Sequence, residues 1–308
     1  MFSILIPSYN NLEYLKICVN SIRKNSSINH QIIIHINEGA DGTIEYIKNA
    51  NLDYSFSNEN IGMPAALNRA SKLARFEHIV ISHDDFYYCP DWDNEFLNEL
   101  KKIDHNKYYL SGTMIGPISK QNETYRDSSR EIDAGENYKE FNENKLLDNL
   151  NNIMTYDFQG TTKHPALIHK KIWDKVGGWS EEFFPTGGDD SDFNMKLWRE
   201  NVRIFKGLGK CKVYHFGSIT TRKKNKSLYT YLGSKGNKIF LKKWGITINF
   251  FERFYLKSGI DKRKKPIYLK YDGPLCNPRR TFNFFLELLK CKFQLLYLLL
   301  TKFNINEK

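Results

Sequence analysis

Two acidic clusters hold the residue types that could do chemistry. His83-Asp84-Asp85 follows a short apolar run, and Gly187-Gly188-Asp189-Asp190-Ser191-Asp192 opens a helix-like segment much later in the chain. Carboxylates at the end of a buried strand are costly unless they are paired or bound to a metal ion. Two such clusters beside turn-forming residues predict one site that handles a divalent cation and a proton. The chemistry open to such a site is group transfer from a metal-bound nucleotide.

The first cluster suits a cation. Mg²⁺ or Mn²⁺ that bridges a diphosphate needs only one or two protein carboxylates, since phosphate and water complete its shell. Asp85 is the candidate ligand, and His215, which ends a later apolar segment, is the candidate for a further one. Both have an ordinary alternative, because an Asp pair can solvate a turn or cap a helix and a strand-end histidine is commonly structural.

The second cluster suits proton transfer. Neighbouring carboxylates such as Asp189 and Asp190 hold a proton more tightly than isolated ones, which favours a general base that works near neutral pH. The glycines before them would let a substrate approach closely. The alternative is a helix N-terminus whose acidic residues only complement the helix dipole.

The elements that must position these clusters follow an alternating pattern. Strands are predicted at residues 2–7, 31–36, 53–56 and 77–81, with helical patterns between them. Such alternation indicates parallel βαβ units, whose ligands lie at the carboxyl ends of the strands. Glu38, Asp41 and Asp84 all fall at such ends.

Beyond these units the pattern is less regular. Further strands are predicted at residues 163–169 and 211–216, and helices at 171–176 and 193–200. Residues 118–152 are polar and are interpreted as an excursion or mobile loop.

Charge divides the chain into two pieces. Residues 221–308 hold 21 Lys and Arg against 5 Asp and Glu, whereas residues 1–220 hold 25 against 30. The apolar content of 41% and charged content of 26% are ordinary for a soluble globular protein. We therefore expect one domain over 1–220 and a basic, aromatic-rich helical region over 221–308.

Cysteine usage and hydropathy indicate the cellular compartment of the protein. The five cysteines are scattered, without the spacing of a zinc site or a disulfide framework, which fits a reducing compartment. The N-terminus begins directly with a strand pattern and has no signal-peptide features. No stretch reaches the ~20 uncharged apolar residues of a membrane span. These features predict a cytoplasmic protein that can lie on the inner face of the cell membrane.

Residues 282–300 form an unusual helical pattern. Apart from Lys292, the polar residues of this segment fall with Thr301 on one narrow stripe: Asn283, Glu287, Lys290, Gln294 and Thr301. A helix so widely apolar must be buried against protein or in a membrane interface. Docking on an anionic membrane is the prediction, and packing on the domain or on a second subunit of a homo-oligomer is the alternative. The basic region lacks a recognised nucleic-acid reader, so no nucleic-acid partner is predicted.

The motifs, taken in order, resemble those of the family 2 glycosyltransferases, which are inverting enzymes with the GT-A fold. The resemblance covers roughly residues 2–220. It rests on residues 3–10, 37–43, 58–69, 83–85, 177–179 with 189–192, and 213–218. It departs from the family where His83 replaces the first Asp of the DxD motif, where Asn37 and Glu38 replace an acidic pair, and where Asp189 replaces a common Glu.

The resemblance implies an α/β fold, namely a Rossmann-like GT-A nucleotide-diphospho-sugar transferase domain, with a mostly helical basic C-terminal extension. It implies a metal-dependent inverting transfer of a sugar from a nucleotide-sugar donor to a hydroxyl of a glycan or lipid-linked acceptor. Asp85 and His215 would hold Mn²⁺ or Mg²⁺, and Asp190, beside Asp189, would be the general base. The predicted substrate- and nucleotide-binding residues are Pro7, Tyr9, Glu38, Asp41, Asn60, Gly62, Asn68, Asp84 and Trp179. The alternative function is a non-catalytic glycan- or nucleotide-binding module of the same fold.

Overall fold

A mixed ten-stranded sheet organises the N-terminal part of the chain in the computed structural model, which describes residues 1–118, 130–217, 226–258 and 268–301. The strands are β1 (Ser3–Tyr9), β2 (Gln31–Asn37), β3 (Asp53–Ser57), β4 (His78–Ile81), β5 (Phe86–Tyr88), β6 (Tyr108–Pro117), β7 (Glu131–Ile132), β8 (Phe158–Gln159), β9 (Ala166–His169) and β10 (Ile204–His215). The main path through the sheet is β3-β2-β1-β4-β9-β6-β10-β5.

Helices cover the sheet and extend the chain beyond it. They are α1 (Leu12–Asn25), α2 (Thr43–Asn49), α3 (Gly62–Ser71), α4 (Trp92–Leu100), α5 (Glu143–Asp148), α6 (Lys170–Val176), α7 (Asp189–Arg199), α8 (Lys226–Trp244), α9 (Ile248–Phe251) and α10 (Phe282–Leu300). Short 3₁₀ turns occur at Leu150–Asn152 and Glu181–Phe183, and a π-helical turn occurs at Glu252–Leu256.

The first half of the sheet confirms the α/β prediction. Strands β3, β2, β1 and β4 are all parallel neighbours. Strands β1, β2 and β4 are rich in isoleucine and largely buried on both faces, as a parallel sheet covered by helices requires, whereas the edge strand β3 is partly exposed. The carboxyl ends of β1, β2 and β4 therefore meet along one edge, where the first acidic cluster begins.

The second half is more complex than the sequence pattern indicated. Strand β9 is antiparallel to both β4 and β6, and β10 is parallel to β6 but antiparallel to β5. The strand expected at 211–216 is the second half of the longer β10, whose first half contains two glycines and lacks a clear apolar run. The elements β5, α4 and β6 were not predicted.

The interpretation of the polar stretch 118–152 as an excursion or mobile loop is wrong for residues 130–152. Residues 130–152 contain β7, α5 and a 3₁₀ turn, and Ile132 and Leu146 are buried in a core cluster with Tyr214. Buried apolar side chains therefore anchor this segment, although its composition is polar. Residues 119–129 lie outside the described residues.

The C-terminal helices share a core with the sheet. Ile239, Phe250 and Phe284 belong to one buried cluster with Leu5 and Ile33 of β1 and β2. The predicted mostly helical extension is therefore packed on the sheet domain, and the expected boundary at residue 220 falls outside the described residues. Of the helices in the described segments, none combines the length and apolar content needed to cross a bilayer.

Candidate active site

Asp85 and His215 converge at the carboxyl edge of the sheet. Strand β10 pairs with β5 so that His215 lies opposite Phe86, and the backbone N–H of Phe216 donates to the carbonyl of Asp85 at 3.2 Å. His215 Nε2 lies 3.2 Å from Asp85 Oδ2. The pairing of β5 with β10 thus brings together two side chains that are far apart in sequence.

This pair fits a cation that keeps other ligands. Within the described segments, no group of three or more His, Cys, Asp and Glu side chains is placed to hold a metal ion by itself. Mg²⁺, and Mn²⁺ with similar oxygen preference, is commonly bound by one or two carboxylates plus substrate phosphates and water. Asp85, which is buried, and His215 would supply the protein ligands of such a site.

Asp84 lies on the β1 side of the same edge. Its Oδ2 accepts a hydrogen bond from Ser8 Oγ at 2.8 Å. Burial and the neighbouring Asp85 raise the pKa of Asp84 to about 7. Pro7 and Tyr9 flank Ser8 and are half-buried, so the predicted contacts at the end of β1 lie beside the acidic cluster.

The ring of His83 meets that of a second histidine, His164, which no sequence motif singled out. His83 Nε2 and His164 Nδ1 are 2.8 Å apart, so one ring donates a hydrogen bond to the other. Burial lowers the pKa of His83 to about 4 and that of His164 well below its usual value, which keeps both rings neutral. His83 therefore replaces the first DxD aspartate with a neutral, hydrogen-bonded group.

A chain of ring contacts joins this edge to the second acidic cluster. The centroids of His215 and His83 are 5.9 Å apart, those of His164 and Trp179 are 5.6 Å apart, and those of Trp179 and Phe193 of α7 are 5.4 Å apart. His164 Nε2 and Trp179 Nε1 are buried without a hydrogen-bond partner among the described residues. A bound polar molecule could satisfy both nitrogens.

Helix α7 gives its two adjacent carboxylates different environments. Asp189 is buried and accepts hydrogen bonds from Gly187 N at 2.8 Å and Thr186 Oγ1 at 3.1 Å. Burial and the charge of Asp190 raise the pKa of Asp189 to about 7. Asp190 is half-buried, and its Oδ1 accepts from Ser191 N at 2.8 Å. Asp189 thus stabilises the turn at Thr186 and Gly187, while the side chain of Asp190 is the more accessible of the two.

Glu38 and Asp41 follow β2 but have different surroundings. Glu38 Oε2 accepts from Asn10 Nδ2 at 3.1 Å and is half-buried at the strand end. The two oxygens of Asp41 accept hydrogen bonds from Leu12 N at 2.8 Å and from Thr43 Oγ1 at 2.6 Å. Asp41 therefore ties together the starts of α1 and α2, and its predicted contact with the nucleoside stays a prediction.

The loop before α3 has a defined turn. Asn60 Oδ1 accepts from Gly62 N at 2.9 Å, and buried Asn37 accepts from Ile61 N at 3.0 Å. Gly62 has a φ of 78°, and a Cβ there would lie 2.8 Å from the carbonyl oxygen of Pro185. Glycine is thus required where this loop meets the segment that leads into α7.

The side chain of Asn68 forms hydrogen bonds with the backbone of Trp179. Its Oδ1 accepts from Trp179 N at 2.8 Å, and its Nδ2 donates to Trp179 O at 2.9 Å. Both polar groups of the Asn68 side chain are thus engaged with the turn before α7. The predicted nucleotide contact of Asn68 remains a prediction, and in this structure the side chain positions Trp179.

Asp192 was named in the second acidic cluster without a role of its own, and Glu252 was missed. Asp192, fully buried on α7, accepts from Trp244 Nε1 at 2.7 Å and pairs with Lys243 at 3.0 Å, which fastens α8 to α7. Glu252 Oε1 lies 3.5 Å from Ser191 Oγ, and burial and the charge of Asp190 raise the pKa of Glu252. No local sequence signal marks Glu252, because only tertiary packing brings it to α7.

The family model for glycosyl transferase family 2 matches residues 3–177, which is more than half of the chain, so the chain belongs to this family. A curated relative, hyaluronan synthase of Pasteurella multocida, is 23% identical over 88% of this chain and 26% of its own length. The chain spans only 19% to 34% of the length of the curated relatives that it matches.

Solved structures share the fold at low identity. The S. aureus TarS 1–349 complex with UDP has a TM-score of 0.52, with 17% identity, 86% of this chain covered and 75% of that chain. The mannosyltransferase PcManGT from Pyrobaculum calidifontis, in complex with GDP-Man and Mn²⁺, has a TM-score of 0.52, with 16% identity and coverage of 79% and 63%. These likenesses show that the protein shares the GT-A fold of these nucleotide-sugar transferases.

Proposed function

We propose that the protein is a metal-dependent, inverting glycosyltransferase that moves a sugar from a nucleoside-diphosphate donor to a hydroxyl of a glycan or lipid-linked acceptor. The observation that supports it most is the chain of ring contacts from His215 to Phe193, which joins the Asp85–His215 pair to helix α7. This packing supports the assignment of the cation site and the candidate base to one site. The UDP and GDP-Man complexes of the two structural neighbours support a nucleotide-sugar donor.

In the proposed reaction, Asp190 takes the proton from the acceptor hydroxyl as that oxygen attacks the anomeric carbon. A new glycosidic C–O bond forms on one face, and the bond from the anomeric carbon to the diphosphate oxygen breaks on the other. The bonding electron pair leaves with the nucleoside diphosphate, and the configuration inverts. Asp189 and Gly187 keep Asp190 at the start of α7 through the turn described above.

Asp85 and His215 would hold the Mn²⁺ or Mg²⁺ ion, which would stabilise the charge on the departing diphosphate. Asp84, Tyr9 and Glu38 would lie on the nucleoside side, at the ends of β4, β1 and β2. The buried nitrogens of His164 and Trp179 would face the sugar. A neutral imidazole suits that position because it can donate a hydrogen bond to the sugar without placing a positive charge beside the metal ion.

Calorimetric titration of UDP, GDP, CDP and dTDP, with and without Mn²⁺, tests the donor site. We expect one nucleotide to bind more tightly with Mn²⁺, and Asp85→Asn to abolish that gain. Asp104→Asn, which changes an exposed carboxylate, is the matched control. Absence of binding by all four nucleotides in the wild type would contradict the proposal.

Transfer assays test the proposed base. Once the donor is known, Asp190→Asn should lower the transfer rate at least a hundredfold, since general-base catalysis contributes about 10²–10⁴-fold. Nucleotide affinity should stay unchanged, because Asp190 is assigned to the acceptor side. A variant with full transfer activity would remove Asp190 from the mechanism.

We also propose that the C-terminal region, which packs on the sheet domain, docks that domain on an anionic membrane at the cytoplasmic face. Helix α10 buries Phe284, Cys291 and Leu298 but exposes a wide apolar face. That face consists of Phe282, Phe285, Leu286, Leu289, Phe293, Leu296, Tyr297, Leu299 and Leu300. The excess of Lys and Arg after residue 220 complements anionic lipid.

Vesicle co-sedimentation tests this docking. The double variant Phe293→Ser, Leu296→Ser should bind phosphatidylcholine–phosphatidylglycerol vesicles at least tenfold more weakly, because each side chain contributes about 1.5–3 kcal/mol when buried. Both residues are exposed, so the fold should be retained. Leu269→Ser, which changes an exposed leucine outside α10, is the control, and equal sedimentation of the double variant and this control would argue against docking.

A further inference from the structure

A cleft of about 820 Å³ lies between α8, the α9–π turn and α10, outside the site described above. Three cationic residues line it, Lys238, Arg253 and Lys290, against one acidic residue, Glu287, which pairs with Lys290 at 2.7 Å. The cleft therefore carries excess positive charge within walls that exclude part of the solvent, which is the electrostatic environment that favours a phosphate group.

Neutral hydrogen-bonding groups line the same cleft. The amides of Asn237, Asn249 and Gln294 each carry both donors and an acceptor, and they come from α8, α9 and α10 respectively. Groups that both donate and accept suit hydroxyl groups, which also do both. The cleft thus combines cations for phosphate with amides for a sugar.

The cleft adjoins an apolar surface. On α10, Glu287, Lys290 and Gln294 line the cleft on one flank of the buried stripe. The exposed apolar face lies opposite the buried stripe and borders the cleft at Leu286 and Tyr297, which neighbour Lys290 on the helix surface. A ligand that binds across this boundary would need a polar head and an apolar chain.

The cleft also adjoins the catalytic helix. Helix α8 packs directly on the turn before α7, because a Cβ on Gly187 would lie 2.9 Å from Leu232 O and one on Gly236 would overlap Gly187 O. The next residues of α8, Gly233 and Asn237, line the cleft. In the π turn, Glu252 contacts Ser191 of α7, whereas its neighbour Arg253 lines the cleft.

From these contacts we infer that the cleft binds the phosphate-linked sugar head of a lipid whose apolar chain lies along the exposed face of α10. The cations contact the phosphate and the amides contact the sugar. The lipid is the acceptor of the transfer, and that identification rests on the proposed function. The binding itself does not depend on it, because the cleft residues differ from those of the donor site.

Binding of geranylgeranyl diphosphate in phosphatidylcholine vesicles tests the inference. This probe carries a diphosphate on an apolar chain, and EDTA in the buffer keeps it from binding through a metal ion at the donor site. Lys290→Gln and Arg253→Gln are each expected to weaken binding about tenfold, since each removes one of the three cations that line the cleft and can contact the phosphate. Glu287→Gln, which removes the negative charge from the cleft, is expected to strengthen binding.

Lys292→Gln is the matched control, because Lys292 carries the same charge two residues further along α10 and is exposed away from the lining of the cleft. It is expected to change binding less than twofold. Equal losses for Lys290→Gln and Lys292→Gln would overturn the inference, because they would indicate attraction to the surface charge alone.

Two further outcomes would overturn it. One is equally tight binding of phosphatidylglycerol vesicles at matched charge, which would identify an ordinary phospholipid surface. The other is equally tight binding of free pyrophosphate, which would remove the role of the chain. If the probe binds as expected but no nucleoside diphosphate binds with Mn²⁺, the proposed function fails and the cleft assignment stands.

Discussion

Asp189→Asn is expected to stabilise the protein at pH 8, although it changes the acidic pair at the proposed base. The pKa of Asp189 is raised from 3.8 to about 7 because the side chain is buried and lies beside the charge of Asp190. Between these two pH values the folded chain holds a proton that the unfolded chain has already released. The free energy of unfolding therefore falls as the pH rises from about 4 to about 7.

The size of this effect follows from the shift. About three pH units correspond to about 4 kcal/mol of unfolding free energy. Asparagine has the same shape without the charge: its Oδ1 can accept from Gly187 N, and its Nδ2 can donate to Thr186 Oγ1, the two groups that contact Asp189 now. We expect the variant to gain about 2–4 kcal/mol at pH 8 and almost nothing at pH 4.

Urea unfolding at several pH values between 4 and 8 measures the difference between wild type and variant. Asp84, whose pKa is also raised to about 7, lowers stability in the same pH range, but it is present in both proteins and cancels from the difference. Asp192→Asn is the matched control on the same helix. This substitution removes the charge of a carboxylate that forms an ion pair with Lys243 and accepts a hydrogen bond from Trp244. It should therefore lower the free energy of unfolding by about 2 kcal/mol.

Two results would refute this reasoning. One is an Asp189→Asn variant that is less stable than wild type at pH 8, which would mean that the hydrogen bonds to the carboxylate outweigh the cost of burying its charge. The other is a gain that does not change between pH 4 and pH 8. A pH-independent gain would come from packing and not from ionisation.

The other predictions concern side chains that position the site. Asn68→Ala should lower the free energy of unfolding by about 2 kcal/mol in urea titrations, since it removes both hydrogen bonds to the Trp179 backbone; Asn98→Ala, at an exposed amide, should not. Glu252→Gln should slow transfer about tenfold at unchanged nucleotide affinity, because the Glu252 carboxylate interacts with the charge of Asp190 and lies 3.5 Å from Ser191 Oγ beside it. An unchanged rate would restrict Glu252 to packing.

The positions of the two acidic clusters could be predicted because they depend on short-range rules. Parallel strands have their carboxyl ends at one edge, so Glu38 and Asp84 could be assigned to that edge from the strand pattern alone. Asp189 and Asp190 follow two glycines at a helix start, which is a local signal as well. The pairing of His215 with Asp85 was predicted from motif order, and strand β10 provides it by its register with β5.

The contacts of individual polar side chains could not be predicted in the same way. Asp41 and Asn68 were assigned to the nucleotide because they lie within matching motifs, yet their side chains hold the backbone at Leu12 and Trp179. A motif reports that a residue type occurs at a position, and a buried backbone group can require that type as strongly as a ligand does. Only the three-dimensional surroundings separate the two cases.

Helix α10 illustrates the same limit for a whole element. Its periodicity predicted a narrow polar stripe, and the helix has one. Glu287 and Lys290 of that stripe line a cleft next to α8, and most apolar side chains of the helix are exposed. Periodicity fixes the angle between two faces of a helix and leaves open which face meets the protein. The buried residues Phe284, Cys291 and Leu298 recur every seven positions, which seats α10 on Phe250 and Phe254. Because this line of contact is narrow, the charged cleft and the exposed apolar face of α10 both remain accessible to a ligand. A lipid with a phosphate-linked sugar can contact the cleft with its head and the apolar face with its chain.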